Sequence, residues 1–227
     1  MARRLDSQRP PGRSPGHPRV ESQQRPQTSD DFNGEKLGPQ WEWNHNPDDA
    51  HWSLSARPGY LRLIPMQAGN LLEARNTLTQ CMQDNAFEFT TRIDLTGIKP
   101  GVHAGVAMFD NSATGLEIEQ DGRDRRLNFF QLQEHTAGPD FSQAVVELRV
   151  RVDGDRASYS YSLDDGKTFH ELGTDTEIRF SWWKGSRPAL FAYTTEAANP
   201  GSNAGAVDTG AVDFDWVRYR PLGQNPW

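Results

Sequence analysis

One cysteine, Cys81, stands among 227 residues, so the chain has no internal disulfide and no cysteine-built metal centre. Long apolar runs are missing as well. None approaches the roughly 20 residues of a membrane-crossing helix, which argues against membrane partners. Positive charge is in deficit, with 24 Lys and Arg against 31 Asp and Glu, and a net charge of −7 argues against a general nucleic-acid binder. The opening MARRLDSQRPPGRSPGHPRV is basic but lacks the apolar segment of a secretory signal, so the default expectation is a cytoplasmic chain. Helical periodicity is absent throughout. Apolar residues reach only 35%, yet eleven Phe and seven Trp let a core be built from few, large side chains.

The charge is unevenly spread. Residues 1–29 hold six arginines (3, 4, 9, 13, 19 and 25) against Asp6 and Glu21, with five prolines and only Leu5 and Val20 as large aliphatics. Such a stretch buries too little apolar surface to offset its ordering entropy, and it is expected to be a disordered leader or inter-domain linker. A single domain is expected over 30–221, with 222–227 as a tail.

From Asp30 the period is two. AFEFTTRIDL (86–95) puts Phe87, Phe89, Thr91 and Ile93 on one side, and AVVELRVRVDG (144–154) alternates Val146, Leu148, Val150 and Val152 with Glu147, Arg149 and Arg151. ASYSYSLDDG (157–166) alternates Tyr159 and Tyr161 with serines. GAVDFDWVRYR (210–220) alternates Val212, Phe214 and Trp216 with Asp213, Asp215 and Val217. This marks antiparallel strands with one wet face. Further strands are expected at 59–64, 71–73, 102–109, 115–120, 126–133 and 188–194. Pro58-Gly59, Pro100-Gly101, Asp121-Gly122, Asp153-Gly154 and Asp165-Gly166 mark the turns. About a dozen short, evenly spaced strands predict an all-β, two-sheet antiparallel sandwich of jelly-roll, concanavalin A-like type.

WEWNHNPDDAHWSL (41–54) holds three of the seven tryptophans. Trp41 and Trp43 share a strand face with Glu42 opposite, and Trp52 and Leu54 resume the alternation after an Asn/Asp turn. A buried core and an exposed sugar-stacking platform both fit, because both faces alternate. SWWKG (181–185) sends Trp182 and Trp183 opposite ways if extended. Trp41, Trp43, Trp183 and Tyr193 are the carbohydrate-stacking candidates, since an indole or phenol ring covers the apolar face of a sugar.

TSDDFNGEKLGPQWEWNHNPDDAHWSLSARPGYLRL, followed by LLEARNTLTQ (71–80), YSLDDGKTFHELG (161–173) and VDFDWVRYR (212–220), resembles the C-terminal module of family 43 glycoside hydrolases. That module is the β-xylosidase C-terminal concanavalin A-like domain, and the resemblance runs from about Pro26 to Pro221. In that family the module follows a catalytic β-propeller that carries the reacting carboxylates. With 29 residues ahead of Asp30, this chain is expected to be the module alone. The resemblance then implies an accessory partner of a propeller domain or subunit acting on xylo- or arabino-oligosaccharides. Two departures stand out: Cys81-Met82 where the family usually has Arg, and a long loop over 194–210. A free-standing carbohydrate-binding protein is the first alternative, and an autonomous concanavalin-like glycosidase the second.

Asp30 and Asp31 open the fold, and Asp213 and Asp215 lie in its last strand. If the ends run side by side, the four could share a structural calcium ion, an expectation drawn partly from related modules. Otherwise they are a solvated strand end. LEIEQDG (116–122) puts Glu117, Glu119 and Asp121 on one face, about 6.5–7 Å apart. That suits glycoside hydrolysis, where carboxylates sit roughly 5–9.5 Å apart, but alternating acids are most often just the wet face of a strand. SLDDGKTF (162–169) reads as a structural Asp-box hairpin. The remaining expectations are that His45, His51, His103, His135 and His170 are surface or loop residues, and that Cys81 is buried and inert.

Overall fold

The computed structural model describes residues 26–122, 124–179, 183–195 and 208–223. The leader up to 25, Trp182, most of the 194–210 loop and the last four residues lie outside the described residues. Pairing begins just ahead of the expected boundary: Gln80 donates to the Thr28 carbonyl at 2.8 Å and the Tyr219 amide donates to Ser29 Oγ at 3.0 Å. Asp30 then bridges Val217 in both directions at 3.0 and 2.8 Å, so the two ends of the domain lie side by side.

Sixteen strands are described. The first eight are β1 (Trp41–Trp43), β2 (Trp52–Ser53), β3 (Leu61–Leu63), β4 (Met66–Gln67), β5 (Thr77–Gln80), β6 (Ala86–Asp94), β7 (Val102–Phe109) and β8 (Thr114–Asp121). The remainder are β9 (Asp124–Gln131), β10 (Glu134–Phe141), β11 (Val145–Asp153), β12 (Arg156–Ser162), β13 (His170–Glu171), β14 (Thr176–Glu177), β15 (Arg187–Thr194) and β16 (Val212–Pro221). They form two eight-stranded sheets. The first runs β13-β12-β11-β6-β16-β3-β2 with β14 beside β12; the second runs β1-β5-β15-β7-β8-β9-β10 with β4 beside β15. All pairs are antiparallel except the two-residue β15–β4 pair.

The inner faces carry the residues that alternation selected. Phe87, Phe89, Ile93, Leu148, Val150 and Phe214 are fully buried, and Phe87 stacks on Tyr219 at 4.5 Å. Their burial between the layers is what holds the sheets together.

Three expectations fail for local reasons. Residues 71–73 form a 3₁₀ turn, not a strand, because Asn70 Oδ1 caps the Leu72 and Glu73 amides at 2.9 and 3.3 Å. The parity of β16 breaks at a bulge between Phe214 and Trp216. Beyond it Val217 and Tyr219 face inward, while Trp216 turns out under Arg218, 4.9 Å from guanidinium to ring. Cys81 is exposed at the end of β5.

Candidate functional site

The outer face of the first sheet is an ion-pair lattice. Asp213, only 4% exposed, takes both oxygens to guanidinium groups: Arg62 at 2.7 and 2.8 Å and Arg57 at 2.8 Å. Arg57 also pairs with Asp94 at 2.8 Å, and Arg92 reaches Glu147 at 3.1 Å and Asp165 at 2.8 Å. Asp165 belongs to the Asp-box hairpin, which is built as read: Asp164 Oδ1 accepts the Ser162 hydroxyl at 2.7 Å and the Thr168 amide at 2.9 Å. Burial pushes the Asp94 carboxyl up, but its bonds from Thr96 and Arg57 outweigh that and leave it below the usual carboxylate range.

The partners of the four aspartates bear on the expected cation site. Asp30 is spent on the Phe32 amide at 2.9 Å, Trp41 Nε1 at 2.8 Å and Gln40 Nε2 at 3.1 Å. Asp31 pairs with Arg218, Asp213 with two arginines, and Asp215 lies 3.6 Å from Arg92. The four aspartates do not converge, and guanidinium groups already balance three of them. Among the described residues no group of three His, Cys, Asp or Glu side chains is arranged around a common point for a metal ion. These donors do not fit calcium, which needs about 6–8 converging oxygens.

The outer face of the second sheet is different. Its registers place Tyr193, His103 and Glu119 in one cross-strand row, Phe191, Gly105 and Glu117 in the next, and Ala189, Ala107 and Gly115 in a third. The small residues of the third row leave a hollow. A second apolar cluster fills part of it, with Phe130, Phe191 and Tyr193 rising from the sheet and Leu71 laid over them by the 3₁₀ turn. Gly115 has no room for a side chain: a Cβ there would stand 2.2 Å from the Val106 carbonyl oxygen.

At the edge of that hollow Glu117 is 2% exposed. Its Oε2 accepts the Tyr193 hydroxyl at 2.9 Å, and its Oε1 lies 3.0 Å from His103 Nδ1 and 3.6 Å from His135 Nδ1. His103 stacks flat on Tyr193, with centroids 4.9 Å apart, because the two are direct cross-strand neighbours. Its Nε2 lies 3.4 Å from the Thr195 hydroxyl. Burial disfavours the imidazolium, but the Glu117 bond and charge outweigh it, so His103 titrates above its ordinary 6.5. Burial and then the Glu117 charge raise the Tyr193 phenol, which stays protonated as a donor.

A cavity of about 330 Å³ opens beside this cluster, lined by Leu71, Phe130, Leu132, Gln133 and His135 as well as Glu117. It continues past Leu72 and Ala113 into a groove of about 560 Å³. Leu132 overhangs the opening, half exposed, at φ 56° in the left-handed region that a branched apolar residue rarely adopts.

The sugar-stacking candidates separate. Trp41 is 9% exposed, stacked on Phe32 with its N–H committed to Asp30, so it offers no ring face to a ligand. Tyr193 is buried and bound to Glu117. Trp43 is half-buried against Trp52, 5.3 Å between centroids. Trp183 is 76% exposed. It sits beside Lys184 and close to Arg187, which both pair with Glu42 and so tie this turn to β1. Glu117 and Glu119 do share a face, but they open into different cavities; Glu119 lines a small acidic cleft with Asp121, Asp124 and Asp140. His103 is a largely buried strand residue of the Glu117 cluster, not a surface or loop residue, whereas His135 is at the surface as expected, on β10 beside the cluster. No local spacing signals this, because three of the cluster's members come from β7, β8 and β15, which only the register brings together.

Two packed antiparallel sheets, a lattice-covered outer face and a hollowed one place the chain among the concanavalin A-like β-sandwiches. It belongs to the family described as the β-xylosidase C-terminal concanavalin A-like domain, whose model matches residues 29–220. It is 33% identical to a β-xylosidase of Formosa agariphila over 86% of this chain and 35% of that protein. A bifunctional GH43-CE protein of Bacteroides eggerthii is 29% identical with a TM-score of 0.73, over 86% of this chain and 26% of that one. The xylan β-1,4-xylosidase of Bacillus halodurans shares the fold, with a TM-score of 0.71 at 18% identity over 91% of this chain and 40% of that one. The chain thus spans about a third of the length of the curated relatives it matches.

Proposed function

We propose that this chain serves as the accessory β-sandwich of a family 43 β-xylosidase or arabinofuranosidase. It supports hydrolysis of xylosides by a catalytic β-propeller domain or subunit and does not perform the chemistry itself. The observation that carries this reading is the match to a C-terminal module that makes up only about a third of its β-xylosidase relatives. Glu117 and Glu119 agree with it. An acid/base pair must flank one glycosidic bond, whereas these two open into separate cavities and Glu117 is held by Tyr193.

The test is turnover of an aryl β-xyloside by the purified chain, alone and mixed with a family 43 propeller. No hydrolysis is expected alone, and a higher rate or thermal midpoint of the propeller is expected on mixing. Hydrolysis by the chain alone that disappears in Glu119→Gln overturns the reading. A second reading, direct carbohydrate binding, is favoured by one observation, the exposed indole of Trp183 on an anchored turn.

A further inference from the structure

The cavity beside Glu117 has two kinds of wall. Leu71, Phe130 and Leu132 form an apolar side, and Glu117, His103 and the exposed amide of Gln133 form a polar one. Glu117 Oε1 and His103 Nδ1 are both buried, and neither has a hydrogen-bond partner elsewhere. A purely apolar occupant would leave the remaining acceptor capacity of Glu117 Oε1 without a donor, which costs binding energy. Charge narrows the choice further. The Glu117 carboxylate faces His103 at 3.0 Å and His135 at 3.6 Å, so the wall offers no bare charge of either sign to an ionic ligand. The volume of about 330 Å³ is at the small end for ligand pockets, roughly 300–1,000 Å³.

We propose that this cavity binds a neutral polyol of monosaccharide size, with Glu117 and Gln133 bonding its hydroxyls and Leu71, Phe130 and Leu132 covering its C–H face. A saturated sugar ring presents both chemistries at once, hydroxyls around its edge and C–H groups on its faces. The carboxylate accepts hydroxyl protons, and Gln133 at the mouth both donates and accepts. The strained Leu132 backbone holds an apolar side chain over the opening, and its amide is fixed to the Ala113 carbonyl at 2.8 Å. This goes beyond the supporting role and stands whether or not a propeller is bound.

The test titrates the whole chain with D-xylose while following histidine ring signals by NMR, with D-glucuronate as the charged control. Saturable, weak binding on the order of millimolar is expected, with the His103 and His135 signals moving together. Glu117→Gln keeps the shape and is expected to weaken binding about tenfold or more. Leu132→Gly relieves the positive φ, so it folds, and it too is expected to weaken binding by removing one apolar wall. Thermal unfolding checks both variants. The proposal is overturned by ring signals that stay still while the Trp183 indole moves, by affinity unchanged in both variants, or by glucuronate binding as tightly as xylose.

Discussion

The two outer faces of this sandwich solve opposite problems. The first sheet has lost its wet face to arginines and carboxylates that pair across β3, β16, β6 and β11. The second has lost its wet face to alanines, glycines and aromatic rings. One is closed by charge, the other by shape, and the second carries the hollow beside Glu117. Long-range pairing sets both, but a charged lattice spends its side chains on one another, whereas small residues beside large rings leave a cavity.

Cutting each face at its centre sharpens the contrast. Asp213→Ala strands Arg57 and Arg62 around a buried position, and the expected loss is about 3 kcal/mol, at the low end for a broken buried pair because the two arginines are about a third exposed. Leu71→Ala opens the hollow from above and is expected to cost about 2 kcal/mol, at the low end because the site lies near the surface. Urea unfolding midpoints measure both. Equal losses would mean that the lattice is no more than packing.

Acid and base separate the faces next. Asp94 titrates below its ordinary 3.8 in the folded chain, so its contribution is whole above that value and fades as pH falls through the folded one. His103 titrates above 6.5, so its contribution is whole below 6.5 and fades as pH rises through the folded value. The stability difference between wild type and Asp94→Asn should therefore shrink in acid, and that for His103→Gln should shrink above neutrality. Unfolding midpoints across a pH series test this, and two differences that fade on the same side would refute the assignment.

The inner core was legible because its information is local: Phe87, Phe89 and Ile93 alternate within one strand, and burial obeys that parity. Parity fails where the backbone departs from regular pleating. The bulge in β16 turns Trp216 outward with no warning in VDFDWVRYR. The Asn70 cap likewise makes a turn of three residues that would read equally well as strand. The Glu117 cluster was half visible. Glu117 and Tyr193 each stood out singly, but their contact depends on β15 pairing β7 and β7 pairing β8. His103 and His135, dispersed along the chain, carried no signal of their own. The two chain ends do run side by side, with Asp30 bridging Val217, yet arginines from β3, from β6 and from the segment before β3 take up the aspartate charge.

The smallest expected effect falls on Trp183. An indole that is 76% exposed contributes little to folding, so Trp183→Ala should shift stability by no more than about 0.5 kcal/mol. Its turn keeps its place because Lys184 and Arg187 both hold Glu42, whose carboxyl the Lys184 bond draws below the usual range. A variant with unchanged melting therefore isolates the ring as a contact surface. Pull-down on xylan compares it with Glu117→Gln. Loss in Trp183→Ala alone places polysaccharide contact on the exposed turn, and loss in Glu117→Gln alone places it in the hollow. Retention in both leaves the proposed supporting role without a carbohydrate contact at either place. The comparison of the two faces then rests on stability alone.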